Sequence, residues 1–245
     1  MKTSSSVDHT LDVVSFRSDL INWGKEHFRS FPWRSTTNPY HILMAEVMLH
    51  RTQASQVAPI YERFISGYPD IASLSRATRE ELHNSLYSLG LRWRVDLIID
   101  MVAQINECFA GQIPQEKVDL LTLPGISDYV ASALRCFAWN LPDAIIDTNT
   151  VRVTGRIYNL ETRDSSRRNS LFRRLISDLV DPQQPRSYNF ALLDLAAQVC
   201  PKGQRPLCEV CPVQKYCLYS RKIGLSEGFS NRSATSSESM ISEEI

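Results

Sequence analysis

Leu123-Pro124-Gly125-Ile126-Ser127-Asp128-Tyr129 separates two stretches of helical periodicity, Val118–Leu123 and Asp128–Trp139. A Pro-Gly turn that leads straight into a helix leaves the first backbone N–H groups of that helix pointing outward. Such an end attracts a phosphate through its unpaired donors and the helix dipole. It also needs small residues, so that the backbone can approach a DNA strand. Taken alone, the heptapeptide reads more readily as an ordinary helix–helix turn. Some 20 residues on stands Ile145-Ile146-Asp147-Thr148-Asn149. Asp147 follows two apolar residues and opens a helix, where the helix N-terminus keeps a carboxylate ionised. It is either a plain N-cap or a fixed anion facing a cation that develops in a transition state.

Outward from this hairpin the chain is helical nearly throughout. Apolar residues recur at helical spacing over Asp12–Phe28, His41–Thr52, Val57–Ile65, Glu80–Leu89, Arg94–Phe109, Thr148–Tyr158, Arg168–Val180 and Asn189–Val199. Pro39 can open the second of these, and Thr78-Arg79-Glu80-Glu81 is a capping-box pattern. No alternating strand pattern persists, so the fold class is all-α. In the His41–Thr52 run the one charge in the middle is Glu46, a carboxylate on an apolar helix with a desolvation cost to meet. The segment Arg163–Arg174 reads as a solvated face.

The 245 residues are 43% hydrophobic and 22% charged, the composition of an ordinary globular protein. No run approaches the length of a membrane span, and the start lacks the apolar core of a secretory signal, which predicts an intracellular protein. The 27 basic and 27 acidic residues are unevenly placed. From Gly224 onward there are four acids (Glu227, Glu238, Glu243, Glu244) and one base, Arg232. Without them, 27 bases less one and 27 acids less four leave a body of net charge +3. A mildly basic body is compatible with nucleic acid. Residues 1–10 and the polar, acidic tail 221–245 read as disordered.

Four of the six cysteines fall within 18 residues: Cys200, Cys208, Cys211 and Cys217, spaced C-x7-C-x2-C-x5-C. Four thiolates that close can wrap one metal centre, zinc or an iron–sulfur cluster. Zinc sites usually use two C-x2-C pairs and only one is present, which favours the cluster. Cys108 and Cys136 read as core residues.

The hairpin, Asp147 and the C-terminal cysteines together resemble the helix-hairpin-helix DNA glycosylases that carry an iron–sulfur cluster. The resemblance spans about residues 14–220. It is dense at Phe31-Pro32-Trp33-Arg34, at Pro39-Tyr40 and at Ala45-Glu46-Val47-Met48-Leu49-His50-Arg51-Thr52-Gln53. It implies two helical lobes with a DNA-binding cleft between them. Residues 39–151 would form a six-helix barrel; 11–38 with 152–220 would form the lobe holding a [4Fe-4S] cluster on the four cysteines. Enzymes of this kind flip the target nucleotide out of the duplex and are expected to work as monomers on double-stranded DNA. There are two departures. Ser127 stands where the family usually has a second glycine, which alters a phosphate contact. Seven residues rather than six separate Cys200 from Cys208, which asks for a larger loop.

The resemblance also implies a subfamily. Tyr129 stands where the lyase members carry a lysine, and a phenol cannot form a Schiff base with the sugar. The thymine–guanine mismatch enzymes have tyrosine there. Glu46 matches a glutamate shared by those enzymes and the adenine-specific ones. His50-Arg51 is closer to the thymine–guanine branch, as is Leu91-Arg92-Trp93, which lacks the tyrosine pair of the adenine enzymes. About 28 residues follow Cys217, too few for the extra domain those enzymes use. The expected activity is hydrolytic removal of thymine, and of uracil, opposite guanine. Removal of adenine opposite guanine or oxidised guanine is the alternative. Asp147, Glu46 and Tyr129 would act at the reacting nucleotide. His50, Arg51 and Gln53 would face the gap and the orphaned guanine. Pro124, Gly125, Ser127 and Asn149 would meet the DNA strand, with Lys202, Arg205 and Lys215 near phosphates.

Overall fold

The computed structural model describes residues 11–90 and 92–224. Expectations for residues 1–10, for Leu91 and for residues 225–245 lie outside them. All regular structure among the described residues is helical: α1 Val13–His27, α2 Pro39–Leu49, α3 Ala54–Gly67, α4 Ile71–Leu74, α5 Arg79–Leu86, α6 Arg92–Phe109, α7 Lys117–Leu120, α8 Asp128–Trp139, α9 Thr148–Ile157, α10 Ser170–Leu179, α11 Pro185–Gln198 and α12 Leu218–Lys222, with short 3-10 turns between some of them.

Local chemistry explains most boundaries. Asp12 caps α1, accepting from Ser15 N–H, and Asn38 caps α2 with Pro39 in its first turn. The Thr78/Glu81 box closes reciprocally at the start of α5. At α8 the N-cap is Ser127, whose hydroxyl accepts from Val130 N–H at 3.3 Å. The serine that replaces the expected glycine thus supplies a cap. Gly125 just before it holds φ at +78°, and a Cβ there would press to 3.3 Å from Leu97. Only glycine meets both demands at low cost.

Two large cores result. One gathers buried residues between Trp33 and Ile145, and α2 runs through it with Leu43, Met44, Ala45 and Met48 almost wholly enclosed. The other joins Phe16, Leu20 and Ile21 of α1 to residues of α9, α11 and the cysteine segment. Here α1 and α11 lie close: a Cβ on Gly24 would fall 2.6 Å from that of Ala191. A small third cluster of Val151, Phe172 and Ile176 packs α10 behind Ile146, next to Asp147.

Three expectations are corrected. Cys108 is exposed, whereas Cys136 is buried; the core face of α6 ends at Ile105, and in its last turn Phe109 takes the packed position. Residues 221 and 222 are helical, the end of α12, so the tail does not begin at 221. The four-residue helix α4 has no counterpart among the expected helices, although Asp70 and Ser73 form a capping box there.

Candidate active site

Asp147 ends the extended segment after Ile145 and caps α9. Its Oδ1 accepts from the backbone N–H groups of Asn149 and Thr150, both at 2.8 Å. Its Oδ2 accepts from the Asn149 side chain at 2.6 Å. The two readings of this residue therefore coincide: it is an N-cap, and its carboxylate also lines a cavity of about 290 Å³. Asn149 Oδ1 in turn accepts from Arg152 at 3.1 Å, and Arg152 donates to the carbonyls of Ala196 and Cys200. The carboxylate is thus tied by hydrogen bonds to the cysteine segment.

That cavity lies against the first core, to which its lining residues Trp33, Phe137, Phe190 and Leu193 belong. Glu46 and Leu49 come from α2, Tyr129 from α8, Asp147 from the start of α9, and Phe190 and Leu193 from α11. Glu46 is only 6% exposed. Its carboxyl is pushed up to about 7, chiefly by burial, against a lowering hydrogen bond from Tyr129 and a further rise from the charge of Asp147. The Tyr129 phenol is held well above its ordinary range by burial and by the two carboxylates. Glu46 can therefore hold a proton near neutral pH beside the Asp147 carboxylate. Two acidic groups in different environments, in one concave site, are a general signature of acid and anion roles.

The raised carboxyl of Glu46 has a consequence for stability. A group whose pKa is higher folded than unfolded stabilises the fold at low pH, and that contribution is lost as pH rises through the folded value. For Glu46 the window runs from its ordinary 4.5 up to about 7. Glu46→Gln keeps a hydrogen-bond acceptor for Tyr129 but cannot ionise. It should be more stable than the parent above pH 7, on the order of 2–3 kcal/mol, with the advantage shrinking towards pH 5. Urea denaturation at pH 5 and pH 8 measures this.

The floor of the cavity was not foreseen from sequence beyond the motif Phe31–Arg34. Asp194, with its side chain wholly inaccessible, accepts from Arg29 Nε at 2.5 Å and from both terminal nitrogens of Arg34 at 2.5 and 3.0 Å. Phe31 lies against both guanidinium groups, at 5.3 and 5.6 Å, and Arg34 also lies 4.7 Å from the Phe190 ring. Arg29, Phe31 and Arg34 all line the cavity, so one acid positions a cationic and aromatic wall.

The other expected residues are placed as follows. His50, Pro124, Gly125 and Ser127 border a second, mainly apolar cavity of about 130 Å³, on which Glu46 also opens. Arg51 and Gln53 are exposed on the connection between α2 and α3 and line neither cavity. Arg51 holds φ at +63°, a conformation that costs a residue with a Cβ. Of the three basic residues near the cysteines, Lys215 pairs with Asp19 at 2.9 Å and Arg205 approaches Glu209 at 3.9 Å.

Cys200, Cys208, Cys211 and Cys217 surround one void together with Arg156 and Tyr219. Arg156 donates to Cys200 Sγ at 2.9 Å. The longer first loop turns at Gly203, φ +73°. Burial, with mutual repulsion of the thiolates, pushes Cys208 and Cys217 up and takes Cys211 to about 12. A metal centre, if bound there, would offset that cost. Among the described residues no three His, Cys, Asp or Glu side chains converge on a site for a single metal ion. Four cysteine side chains around one void are the soft donor set that a metal centre would need.

Comparison with known proteins gives the family of the chain. Residues 44–178 match the model of the HhH-GPD superfamily base excision DNA repair proteins. The chain is 31% identical over 214 residues to a thymine-DNA glycosylase of Aeropyrum pernix, covering 84% of this chain and 95% of that one. It is 32% identical over 227 residues to a thymine/uracil-DNA glycosylase of Pyrobaculum aerophilum, covering 89% and 97%. An adenine DNA glycosylase of Mus musculus is 32% identical over 216 residues, 84% of this chain and 42% of its own length. In structure the chain is similar to a thermostable thymine-DNA glycosylase, with a TM-score of 0.79 at 28% identity over 86% of this chain and 97% of that one. The chain belongs to the HhH-GPD superfamily of base excision DNA repair proteins. Its all-α, two-lobed helix-hairpin-helix architecture is that of its structural neighbours.

Proposed function

We propose that the chain is a monofunctional DNA glycosylase that hydrolyses the N-glycosidic bond of thymine, and of uracil, mispaired with guanine. The observation that carries this reading is the shared cavity, in which the Asp147 carboxylate and the proton-holding Glu46 meet at Tyr129, with no lysine at that position. The relatives named for thymine and uracil are matched over nearly their whole length, which supports the choice of base.

In the proposed reaction the mismatched nucleotide is extruded into the cavity between the lobes. The C1′–N1 bond breaks, its electron pair leaves with the pyrimidine, and positive charge develops on the sugar. Asp147 stabilises that cation and aligns the water that adds at C1′, and the proton this water loses balances the one taken up by the departing pyrimidine. Protonated Glu46, held by the hydrogen bond it accepts from the Tyr129 hydroxyl, donates towards an oxygen of the departing base. The guanidinium of Arg34 presents further donors. The hairpin residues Pro124, Gly125 and Ser127 lead the DNA strand past the free end of α8, Asn149 braces Asp147, and His50, Arg51 and Gln53 face the orphaned guanine. Arginine can reach the acceptors of guanine in two-pronged fashion.

Cys200, Cys208, Cys211 and Cys217 would hold a [4Fe-4S] cluster, which supplies a covalent brace for the segment packed on α9. The enzyme would act as a monomer on double-stranded DNA, wherever the cell keeps it. No helix among the described residues is long and apolar enough to cross a membrane.

Duplexes containing T·G, U·G, A·G and A opposite oxidised guanine test the choice of base. Cleavage of the T and U strands only after alkali is the expected result; cleavage of A strands alone would select adenine excision instead. Tyr129→Lys places an amine beside both acidic groups. It should gain strand scission without alkali and a borohydride-trapped adduct, seen as a shifted band on a denaturing gel. A folded, DNA-binding variant with no adduct would contradict the placing of residue 129 at the sugar.

A further inference from the structure

We propose that Trp93 is a stacking platform for a nucleobase unstacked at the mismatch, seated on Arg94. This rests on the glycosylase reading above and adds a contact to it. Trp93 lies in the first turn of α6 and is 56% exposed. Its ring lies 4.8 Å from the Arg94 guanidinium and meets the His50 ring edge-on at 6.3 Å.

The seat is rigid. Arg94 is only 4% exposed. It donates to the Val47 carbonyl at 2.6 Å, to His50 Nδ1 at 2.6 Å and to the His50 carbonyl. Those carbonyls belong to the end of α2, where intrahelical donors run out. Arg94 therefore closes α2 and fixes the start of the connection on which Arg51 takes its left-handed conformation.

The indole also occupies a particular place. It borders the smaller cavity, whose other wall is Pro124 and Gly125 of the hairpin. It stands between the α2–α3 connection and the hairpin, the two segments proposed to touch DNA. An aromatic ring with much of its surface in water and a guanidinium against it is suited to a base that has lost a stacking neighbour. Such stacking tolerates any base, because every base presents a π face.

The test uses Asp147→Asn as the parent, so that substrate is bound and not consumed, and compares Trp93→Ala with Trp93→Phe in that background. Trp93→Ala should bind a T·G duplex about 10-fold more weakly and a fully matched duplex within about twofold of the parent, and Trp93→Phe should stay close to the parent on both. Tryptophan emission of the parent should be quenched by the T·G duplex, and the Trp93→Phe protein should lack that quenched component. Equal affinity of parent and Trp93→Ala for the T·G duplex overturns the proposal. So does an equal loss on matched and mismatched DNA, or quenching that survives in Trp93→Phe. If the unaltered protein excised no base, the glycosylase reading would fail, while these binding measurements would still decide the role of Trp93.

Discussion

Asp147→Asn should reduce single-turnover excision of thymine from a T·G duplex on the order of 10³-fold while leaving the fold and the affinity for DNA nearly unchanged. The substitution separates the two duties of this residue. Asparagine is as good an N-cap as aspartate, so the bonds to Asn149 and Thr150 N–H, both 2.8 Å now, have an acceptor in the variant. What is lost is the negative charge beside the sugar, with the 2.6 Å bond from the Asn149 side chain. A rate within tenfold of the parent would mean that Asp147 is only the cap of α9.

The second large effect falls on stability. Asp194→Asn should lower the melting temperature on the order of 10 °C. The Asp194 carboxylate has no exposed surface, and two guanidinium groups and the Arg29 backbone N–H converge on it. Removing one partner of such a group leaves uncompensated buried charge, at about 3–5 kcal/mol. In a protein of this size each kcal/mol moves the midpoint by about 2–4 °C. Excision should fall as well, because Arg34, Phe31 and Phe190 form the cavity wall that the ion group holds in place. Thermal denaturation followed by circular dichroism is the check; a midpoint within about 2 °C of the parent would show that the network carries little.

These two residues mark the limit of what the sequence discloses. Asp147 was legible because its evidence is local: two apolar residues, an acid and a helix start within a few positions. The Thr78 box, Pro39 and the Gly125 turn were legible for the same reason. Asp194 was not, because its partners Arg29 and Arg34 lie 165 and 160 positions away, and an acid on an apolar helix does not announce its counter-ion. The meeting of Glu46 with Tyr129 was only half legible. Each residue could be singled out by resemblance, but their contact depends on α2 passing through the first core beside α8. Cys108 was misjudged because helical periodicity states which face a residue shares and not where the neighbouring elements stop. The short helix α4 escaped notice because four residues hold too little periodicity to register.

The fold serves the proposed chemistry by bringing two differently housed acids to one cavity. Glu46 sits in an apolar helix that raises its proton affinity; Asp147 sits at a helix start that surrounds its carboxylate with donors. The hydrogen-bonded path through Asn149 and Arg152 to the Cys200 carbonyl keeps Asp147 in register with the cysteine segment.

The most direct measurement of the central claim compares two duplexes that carry, opposite guanine, either a cationic pyrrolidine or a neutral tetrahydrofuran in place of the target nucleotide. If residue 147 stabilises positive charge on the sugar, the parent binds the cationic duplex at least about 100-fold more tightly, and Asp147→Asn loses most of that preference. Equal binding of the two duplexes by the parent, or a preference that survives in Asp147→Asn, would contradict it.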